Sequence, residues 1–523
     1  MFSMKTVVLI LLIVFCSDVI NCAKILGIFM GLGRNHYILG KSFMTNLVQA
    51  GHDCVLISRY SDETNNGVHF KEVIVRNDES TDALFKATEE TNHNPFFAIH
   101  RIHEYSKGII PRVFEERGVK QLLNHNFDVV VIEEVFADAL KVLAWHFKAH
   151  LVIFHPHRAN FWVNDYLGNP CLPTFVTEYP ATFSISKNFL ERSLNLALYL
   201  YEKLYKEFVV LKEHRNVTSA HFPEAPDLSD IIYNTTLAFL NSDVAVYQFV
   251  PTLPNMVDIG GFHIDVPGRL PVEVQAFFDG SKKGVVYIDL DFLTSSYLSE
   301  ETRDWMVEVL SEFEYDFLWV WDEQAIPNQP ANLRFQDPLK LGNVLVHPNT
   351  KLFVHLGNTK DIIESLYYGV PQLLIPVLDD QLYDTSQAQY HGYARTLPFQ
   401  SLTKSNFRSS LQELLNNVRY EDESKRRSKI LKEKPISAKK AVVFWIDNVL
   451  KTKGAAYMRA DSLDYSWYQL YMIDVIGFFI GSFVIVIAFV IIIFVKIWRI
   501  CCCRSKRKSN KNKIYNSLSY IAE

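Results

Sequence analysis

The sequence is poor in the residue types that mark several large classes of protein. Only seven of its 523 residues are cysteine, which excludes a small scaffold held together by disulfides. Glycine and proline number 21 and 20, too few for a collagen-like or low-complexity chain. The net charge of −5 gives no reason to expect nucleic acid, and the 49% hydrophobic content excludes a disordered chain. At roughly 150 residues per domain, the length suggests about three units.

Hydrophobic residues are concentrated at the two ends of the chain. Residues 1–23 contain one lysine and then a short apolar run, which predicts a secretory signal peptide cleaved after Cys22 or Ala23. The alternatives are a buried first strand or an uncleaved anchor. Residues 475–495 carry no charge and are long enough to cross roughly 30 Å of hydrocarbon. Residues 496–523 hold eight lysines and arginines against one glutamate, which predicts a basic cytosolic tail and a luminal body.

Few residues are candidates for modification in this topology. Cys501–Cys503 lie just inside the membrane, where they are either palmitoylated or plain thiols of a reducing compartment. Cys54 and Cys171 are the luminal cysteines, and the sequence leaves open whether they pair. Asn216 and Asn234 begin Asn-x-Thr triplets and are predicted N-glycosylation sites.

Between the two ends, short apolar strands alternate with helical segments. In the first half we predict strands at 24–29, 54–58, 128–132 and 151–154 and helices at 37–50 and 138–146. In the second half we predict strands at 284–288, 316–320, 344–346, 352–354 and 372–375 and helices at 300–313, 362–368 and 386–391. This alternation is typical of doubly wound parallel sheets. Residues 256–268 are the predicted hinge, and 437–459 predict a long amphipathic helix. Residues 160–245 are either packed helices or an apolar substrate wall.

Three motifs in order carry a family resemblance. They are NMVDIGGFHI at Asn255–Ile264, KLFVHLGNTKDIIESLYYGVP at Lys351–Pro371 followed by IPVLDDQ at Ile375–Gln381, and AVVFWIDNVLKTKGA at Ala441–Ala455. With the signal and the anchor, they make the chain resemble the membrane-bound UDP-glycosyltransferases (UDP-glucuronosyltransferases), most of all their insect and arthropod members.

The resemblance implies an α/β protein of the GT-B fold, with two Rossmann-like domains facing a cleft and one C-terminal transmembrane helix. Residues 24–255 are the expected acceptor-binding domain, and 256–460 are the expected UDP-sugar-binding domain with its return helix. The expected reaction moves a hexose from UDP-glucose or UDP-glucuronate to a small lipophilic acceptor. No bound cofactor and no metal are expected, since the UDP-sugar is a co-substrate. Homo- or hetero-oligomers with related transferases are a further expectation.

Glycosylation of a hydroxyl needs a base that removes its proton as the oxygen attacks the anomeric carbon. A histidine suits neutral pH, and a carboxylate behind it holds its tautomer and stabilises the imidazolium. The resemblance assigns the base to His36 and the partner to Glu133, at the end of the DVVVI strand. Glu134 and Asp138 are close alternatives for the partner.

The resemblance also assigns a donor site. Leu356, Gly357 and Asn358 occupy the diphosphate-binding turn before a helix, where backbone N–H groups favour anions. Glu364 matches the carboxylate that binds ribose, and Asp380 and Gln381 match the pair that binds the sugar.

Several donor-site positions depart from the family pattern. The phosphate-contacting histidine position is Leu356, with His355 one residue away and facing the other side. The Ser-Leu-Gly-Ser loop has become Asp289–Phe292. The Trp-x-Pro-Gln segment that stacks on uracil in the family is absent, and Pro338–Leu341 stands in its place. The usual asparagine after the Asp-Gln pair is Asp384. Each lost charge-assisted contact is typically worth about 1.5–3 kcal/mol.

Two functional hypotheses follow from these observations. The first is an active UDP-glycosyltransferase with an altered donor site. In it, Lys360 or Lys340 would offset the weakened phosphate contacts. The second is a catalytically impaired, membrane-anchored binding or partner protein on the same fold. A receptor ectodomain has the right topology but explains neither the α/β alternation nor the C-terminal motif. The expected compartment is the endoplasmic reticulum or the plasma membrane.

Overall fold

The structure is a computed structural model that describes residues 22–519, apart from 32, 63–66, 77–93, 179–187, 291–297, 322–325 and 327–328. The chain divides into two compact units at Ala460 and Asp461. The predicted signal peptide up to residue 21 and the Asp291-Phe292 part of the altered loop lie outside the described residues.

The first half is built on a parallel sheet of seven strands in the order β3-β2-β1-β4-β5-β6-β7. The strands are β1 (Lys24–Phe29), β2 (Asp53–Ser58), β3 (Phe70–Ile74), β4 (Val129–Glu133), β5 (His150–His155), β6 (Leu237–Leu240) and β7 (Met256–Asp258). Nearly every residue of β1, β4 and β5 is buried, because helices cover both faces of the sheet. The strand order reverses between β1 and β4, and such a switch point opens a crevice at the carboxyl ends of the strands.

The helices of the first half lie between its strands in the sequence. They are α1 (Arg34–Gln49), α2 (Pro95–Glu115), α3 (Arg117–Leu122), α4 (Val142–Phe147), α5 (Phe161–Leu167), α6 (Phe189–Tyr205), α7 (Leu211–His221) and α8 (Leu228–Ile232). A π-helical turn, Lys206–Val210, joins α6 to α7. The described residues between 160 and 245 are therefore mainly packed helices. The outward face of α6 nevertheless exposes a stripe of leucines at positions 196, 200 and 204.

The second half repeats the same winding around a parallel sheet of six strands in the order β10-β9-β8-β11-β12-β13. The strands are β8 (Val285–Asp289), β9 (Asp316–Val320), β10 (Leu333–Gln336), β11 (Thr350–His355), β12 (Gln372–Leu374) and β13 (Ala394–Thr396). The helices are α9 (Val272–Gly280), α10 (Glu300–Ser311), α11 (Leu341–Leu345), α12 (Thr359–Tyr368), α13 (Asp379–Tyr390), α14 (Lys404–Asn416), α15 (Val418–Lys432) and α16 (Ala438–Lys451). The switch point of this sheet lies between β8 and β11.

Three predicted elements of the second half differ from the structure. The strand predicted at 344–346 is wrong, because these residues end helix α11, where Val344 and Leu345 are buried. A short apolar run does not reveal its period, so a buried helical turn and a buried strand look alike. The helix predicted at 386–391 begins seven residues earlier, at Asp379. The amphipathic helix predicted at 437–459 ends at Lys451, since Gly454 has a φ of +100° that only glycine adopts readily.

Helix α16 packs on the first half, although it comes after the second sheet in sequence. Val442, Ile446 and Val449 join the same core cluster as Phe43 of α1. Residues 259–271, which contain neither strand nor helix, connect the two sheets, and within them the carbonyl of Phe262 accepts from the Asn46 side chain at 3.2 Å. The two halves are thus joined by two crossings of the chain.

The C-terminal unit contains α17 (Trp467–Leu470) and α18 (Ile473–Ser519). Residues Ile473–Ile500 of α18 are long and apolar enough to cross a membrane, and they are the one such segment among the described residues. Cys54 and Cys171 are buried free thiols, so the bridge that the sequence left open does not form in this structure.

Candidate active site

The first predicted pair of site residues meets at the switch point of the first sheet. Strands β1 and β4 are parallel neighbours, with Ile28 opposite Ile132, so their carboxyl ends lie side by side. His36 lies in the first turn of α1, just after β1, and Glu133 ends β4. His36 Nδ1 is 2.6 Å from Glu133 Oε1, and Glu133 Oε2 accepts from the Gly31 N–H at 2.8 Å. This arrangement places the Nδ1 proton toward the carboxylate and leaves the lone pair on Nε2.

Gly31 allows the close approach that this pair requires. A Cβ atom at Gly31 would lie 2.1 Å from His36 Nδ1, well inside van der Waals contact. The imidazole would therefore have to move away from the position in which Glu133 holds it.

Gly31→Ala is expected to lower the rate of UDP-sugar-dependent transfer about 100-fold, since a misplacement of about 1 Å can cost that much. The change should leave thermal stability nearly unaltered, because His36 is a side chain that can rotate. Steady-state kinetics and circular dichroism measure the two effects. Gly280→Ala is the matched control, because a Cβ there meets nothing within 4 Å. Unchanged kinetics in Gly31→Ala would show that the histidine position is unimportant.

The alternative partners Glu134 and Asp138 belong to a separate buried cluster. Lys141 Nζ lies 2.6 Å from carboxylate oxygens of both residues, and Lys206 Nζ lies 3.3 Å from Asp138 Oδ2. Tyr166 donates a hydrogen bond to Asp138 at 2.7 Å. These contacts anchor the loop after β4, so neither carboxylate is oriented toward His36 as Glu133 is.

The predicted diphosphate turn lies at the switch point of the second sheet, after β11. Leu356 is buried in the core cluster of that sheet with Val354 and Val377. His355 faces the interior, where its Nε2 is 2.9 Å from Gln372 Oε1. Gly357 has a φ of +90°, and a Cβ there would meet Thr385 at 2.2 Å. The turn geometry therefore persists, but neither His355 nor Leu356 provides a cationic or polar group to the cleft.

Gln381 is bonded within its own turn. Its Oε1 accepts from the N–H groups of Val377 and Leu378 at 2.8 and 3.0 Å, and its Nε2 donates to Asn358 Oδ1 at 3.0 Å. It therefore caps the start of α13 and holds Asn358 in place. The Asp380 side chain lies outside the described residues.

One narrow cavity of about 30 Å³ brings the two predicted sites together. Its wall contains His36 from the first half and Asn358, Lys360 and Gln381 from the second. Glu364 is one turn further along α12 than Lys360 and does not contribute to this wall. The structure thus places the predicted base opposite part of the predicted donor site.

The cavity also contains a residue that the sequence analysis missed. His157 follows β5, and its Nδ1 lies 2.9 Å from Asp384 Oδ2 and 2.7 Å from Thr359 Oγ1. Tyr247 donates to the other oxygen of Asp384 at 2.8 Å, and Thr359 donates to Asp384 as well. Asp384 was noted only as a departure from the family pattern. The His-Pro-His run at the end of β5 was the available signal for His157.

Lys360 supplies the positive charge on the donor side, within a partly buried ion pair. Lys360 Nζ lies 2.5 Å from Asp361 Oδ1. Burial alone would lower the pKa of Lys360, but the neighbouring Asp361 and Glu364 outweigh it and raise that pKa. Lys340, the other predicted substitute for phosphate contacts, instead pairs with Asp265 at 3.2 Å on an exposed surface. Lys360 is therefore the cation in the cavity wall.

Glu364 has an unusual protonation equilibrium. Burial raises the pKa of its carboxyl to about 7, while Lys360 opposes the rise and Asp361 adds to it. In the unfolded chain the group titrates near 4.5, so between these values the native state holds a proton that the unfolded state has released. The stability contributed at this position therefore falls as the pH rises from about 5 to 7.

Glu364→Gln is accordingly expected to raise the melting temperature relative to the parent protein at pH 8 and to change it little at pH 5. Differential scanning calorimetry at the two pH values measures the difference. Glu314→Gln is the control, because that side chain is 81% exposed and should respond equally at both. A Glu364→Gln effect that does not depend on pH would contradict the expectation.

Comparison with known proteins agrees with this geometry. A family model described as "UDP-glucoronosyl and UDP-glucosyl transferase" matches residues 7–512, almost the whole chain. The chain belongs to this family. The family is one of glycosyltransferases that use UDP-sugars, so the chain is a UDP-glycosyltransferase by membership.

Curated relatives of this UDP-glycosyltransferase come from insects and mammals. The UDP-glycosyltransferase UGT5 of Dactylopius coccus is 25% identical over 89% of this chain and 90% of its own length. The human UDP-glucuronosyltransferase 2B7 is 23% identical over 97% of this chain and 98% of its own. Among solved structures, the glycosyltransferase VinC in complex with dTDP has a TM-score of 0.57 at 16% identity, covering 82% of this chain and all of its own. The likeness confirms the GT-B fold.

Proposed function

We propose that this UDP-glycosyltransferase moves a hexose from a UDP-sugar to a small lipophilic acceptor, with inversion at the anomeric carbon. The observation that carries the proposal is the 2.6 Å contact between His36 and Glu133 at the wall of the cleft cavity. A His-carboxylate pair of this kind matches the base needed to activate a hydroxyl.

In the proposed mechanism, His36 Nε2 accepts the proton of the acceptor hydroxyl while that oxygen attacks the anomeric carbon. UDP leaves from the opposite face, and this single displacement inverts the configuration. Glu133 stabilises the imidazolium that forms, and its bond from the Gly31 N–H keeps it in place. The full burial of the Glu133 side chain strengthens this electrostatic effect, because water does not screen it.

On the donor side, the N–H groups at the start of α12 and the Lys360 ammonium are proposed to neutralise the diphosphate. A helix amino end favours anions, and a lysine adds a full charge to that partial one. Glu364, Asp380 and Gln381 keep their proposed contacts with ribose and sugar. Gln381 would have to exchange one of its present hydrogen bonds for a sugar hydroxyl.

A second candidate is a catalytically impaired binding or partner protein, and two observations favour it. Leu356 packs in the core where the family pattern has a phosphate-contacting histidine, and Asp361 already neutralises Lys360. Both features weaken the attraction of the cleft for a diphosphate.

Two measurements on the full chain in detergent micelles separate the candidates. The first follows release of UDP from UDP-glucose and UDP-glucuronate in the presence of phenol and steroid acceptors. The second measures binding of UDP by calorimetry. Acceptor-dependent UDP release supports the transferase. Absence of both turnover and UDP binding, together with binding of apolar acceptors, would leave only the impaired protein.

We further propose a luminal body with the tail in the cytosol, and glycosylation tests this orientation. Asn234 is exposed in the turn after α8, whereas Asn216 lies within α7 and its Thr218 is buried. Asn234→Gln is therefore expected to remove the gel shift produced by glycosidase treatment, and Asn216→Gln is expected to keep it. A parent protein without any shift would argue against a luminal body.

A further inference from the structure

A compact group of histidine and glutamate side chains lies outside the cleft, where α2 packs against α6 and α7. His100, His103 and Glu104 occupy positions i, i+3 and i+4 of α2, so they share one face of the helix. One donor atom from each lies within 4.8 Å of the other two. This is the spacing at which one helix can present several ligands to a single ion.

The facing helices complete the group. The Tyr205 hydroxyl, at the end of α6, lies 2.8 Å from Nδ1 of both His100 and His103. Glu213 Oε2, on α7, lies 2.9 Å from His103 Nε2. The π-helical turn between α6 and α7 adds a residue to the helical repeat, which rotates Glu213 to the same side as Tyr205. Two helices thus direct polar groups at the same face of α2.

His103 provides the observation that points to a ligand. Its side chain is 2% exposed, and its Nε2 pairs with Glu213 Oε2 at 2.9 Å without the alignment of a hydrogen bond. Two ligands of one tetrahedral zinc ion are separated by roughly 3.3 Å, which a small shift of either side chain would reach.

We propose that His100, His103, Glu104 and Glu213 bind one divalent transition-metal ion, with Zn²⁺ as the ion that the donor set suits. Imidazole with carboxylate is a common zinc set, whereas Ca²⁺ and Mg²⁺ prefer oxygen ligands alone. Lys107 Nζ lies 3.7 Å from Glu104 and 3.6 Å from Glu213, but this lysine side chain is 53% exposed and can swing aside when a cation enters.

Such an ion would clamp α2 to α7 next to a contact between the two halves. Arg101, between the two histidines, forms an ion pair with Asp379 at the start of α13. A metal at this position would therefore hold the helix that carries Arg101. The proposed role is structural, since the site does not touch the His36–Glu133 pair.

The test uses the full chain in detergent micelles after treatment with a chelator. Co²⁺ is titrated while the visible absorption of a tetrahedral site is recorded, and Zn²⁺ is then added to displace it. One equivalent of Co²⁺ is expected to bind in the parent protein. His100→Ala is expected to weaken Zn²⁺ binding at least about tenfold, because even outer-shell partners of a metal contribute that much.

The variants are chosen so that every result bears on the proposal. His69→Ala is the matched control, because His69 is exposed and lies 2.6 Å from the single carboxylate of Asp53. It should bind Zn²⁺ like the parent protein. If His103→Ala fails to fold, His100→Ala and Glu213→Gln still test the site from more exposed positions. Parent-like Zn²⁺ affinity in both, or no Co²⁺ absorption in the parent protein, would overturn the proposal.

Discussion

Replacing His36 by alanine is expected to lower kcat/KM for sugar transfer by about 10²- to 10⁴-fold, the range that a positioned general base contributes. Without the imidazole, the acceptor hydroxyl must lose its proton to water. Binding of UDP should be unchanged, because His36 lies on the first half of the cleft and the donor residues lie on the second. Initial rates of UDP release and calorimetry with UDP measure the two quantities.

The controls for this experiment separate a catalytic from a structural effect. His69→Ala removes a histidine from an exposed pair with Asp53 and should keep full activity. Glu133→Gln keeps the shape of the partner but removes its charge. It should therefore lower kcat and leave KM nearly unchanged. A His36→Ala protein with parent-like kcat/KM would refute the proposed base. A parent protein without any transfer would favour the impaired candidate instead.

The largest effect on stability is expected from Lys141. Its ammonium is fully buried and lies 2.6 Å from both Glu134 and Asp138. Burial would raise the pKa of Asp138, but Lys141 and Lys206 outweigh it and lower that pKa, so the carboxylate stays charged. Lys141→Met is therefore expected to lower the free energy of unfolding by about 3–5 kcal/mol, the usual result when one partner of a buried ion pair is removed.

Chemical denaturation followed by tryptophan fluorescence measures this loss. Lys425→Ala is the control, because Lys425 and Glu421 form an exposed i,i+4 pair that contributes about 0.3–0.5 kcal/mol. Equal midpoints for Lys141→Met and the parent protein would show that Lys206 alone compensates the two carboxylates.

Fold class and most strands could be predicted from the sequence, because buried parallel strands appear as continuous apolar runs. The runs that became β1, β4 and β8 were placed within one residue of their observed bounds. The short strands β3, β6, β7, β10 and β13 were missed, since runs of three to five residues have little pattern of their own. The strand predicted at 344–346 was wrong although its residues are apolar, because they belong to helix α11, which packs on α12.

The candidate site was predictable only in part. Family motifs pointed to His36, Glu133 and the turn at Gly357, and the winding of the two sheets brings them toward one cleft. Only the family resemblance favoured Glu133 over Glu134 and Asp138, since the three carboxylates lie within six residues. It also did not reveal the bonds that Gln381 makes to its own turn or the cluster around His157 and Asp384, because these contacts join distant segments.

The sequence by itself determined the order of the segments, the apolar helix near the C-terminus, the doubly wound α/β architecture and the family. These properties depend on local composition and on periodicity, which can be obtained from the sequence alone. The tertiary structure alone decided which carboxylate faces His36, because successive residues at a strand end point in opposite directions and packing selects one of them. It also decided that Lys360 and Asp361 are partly buried as a pair, with Lys360 in the cavity wall, since burial depends on residues far away in sequence.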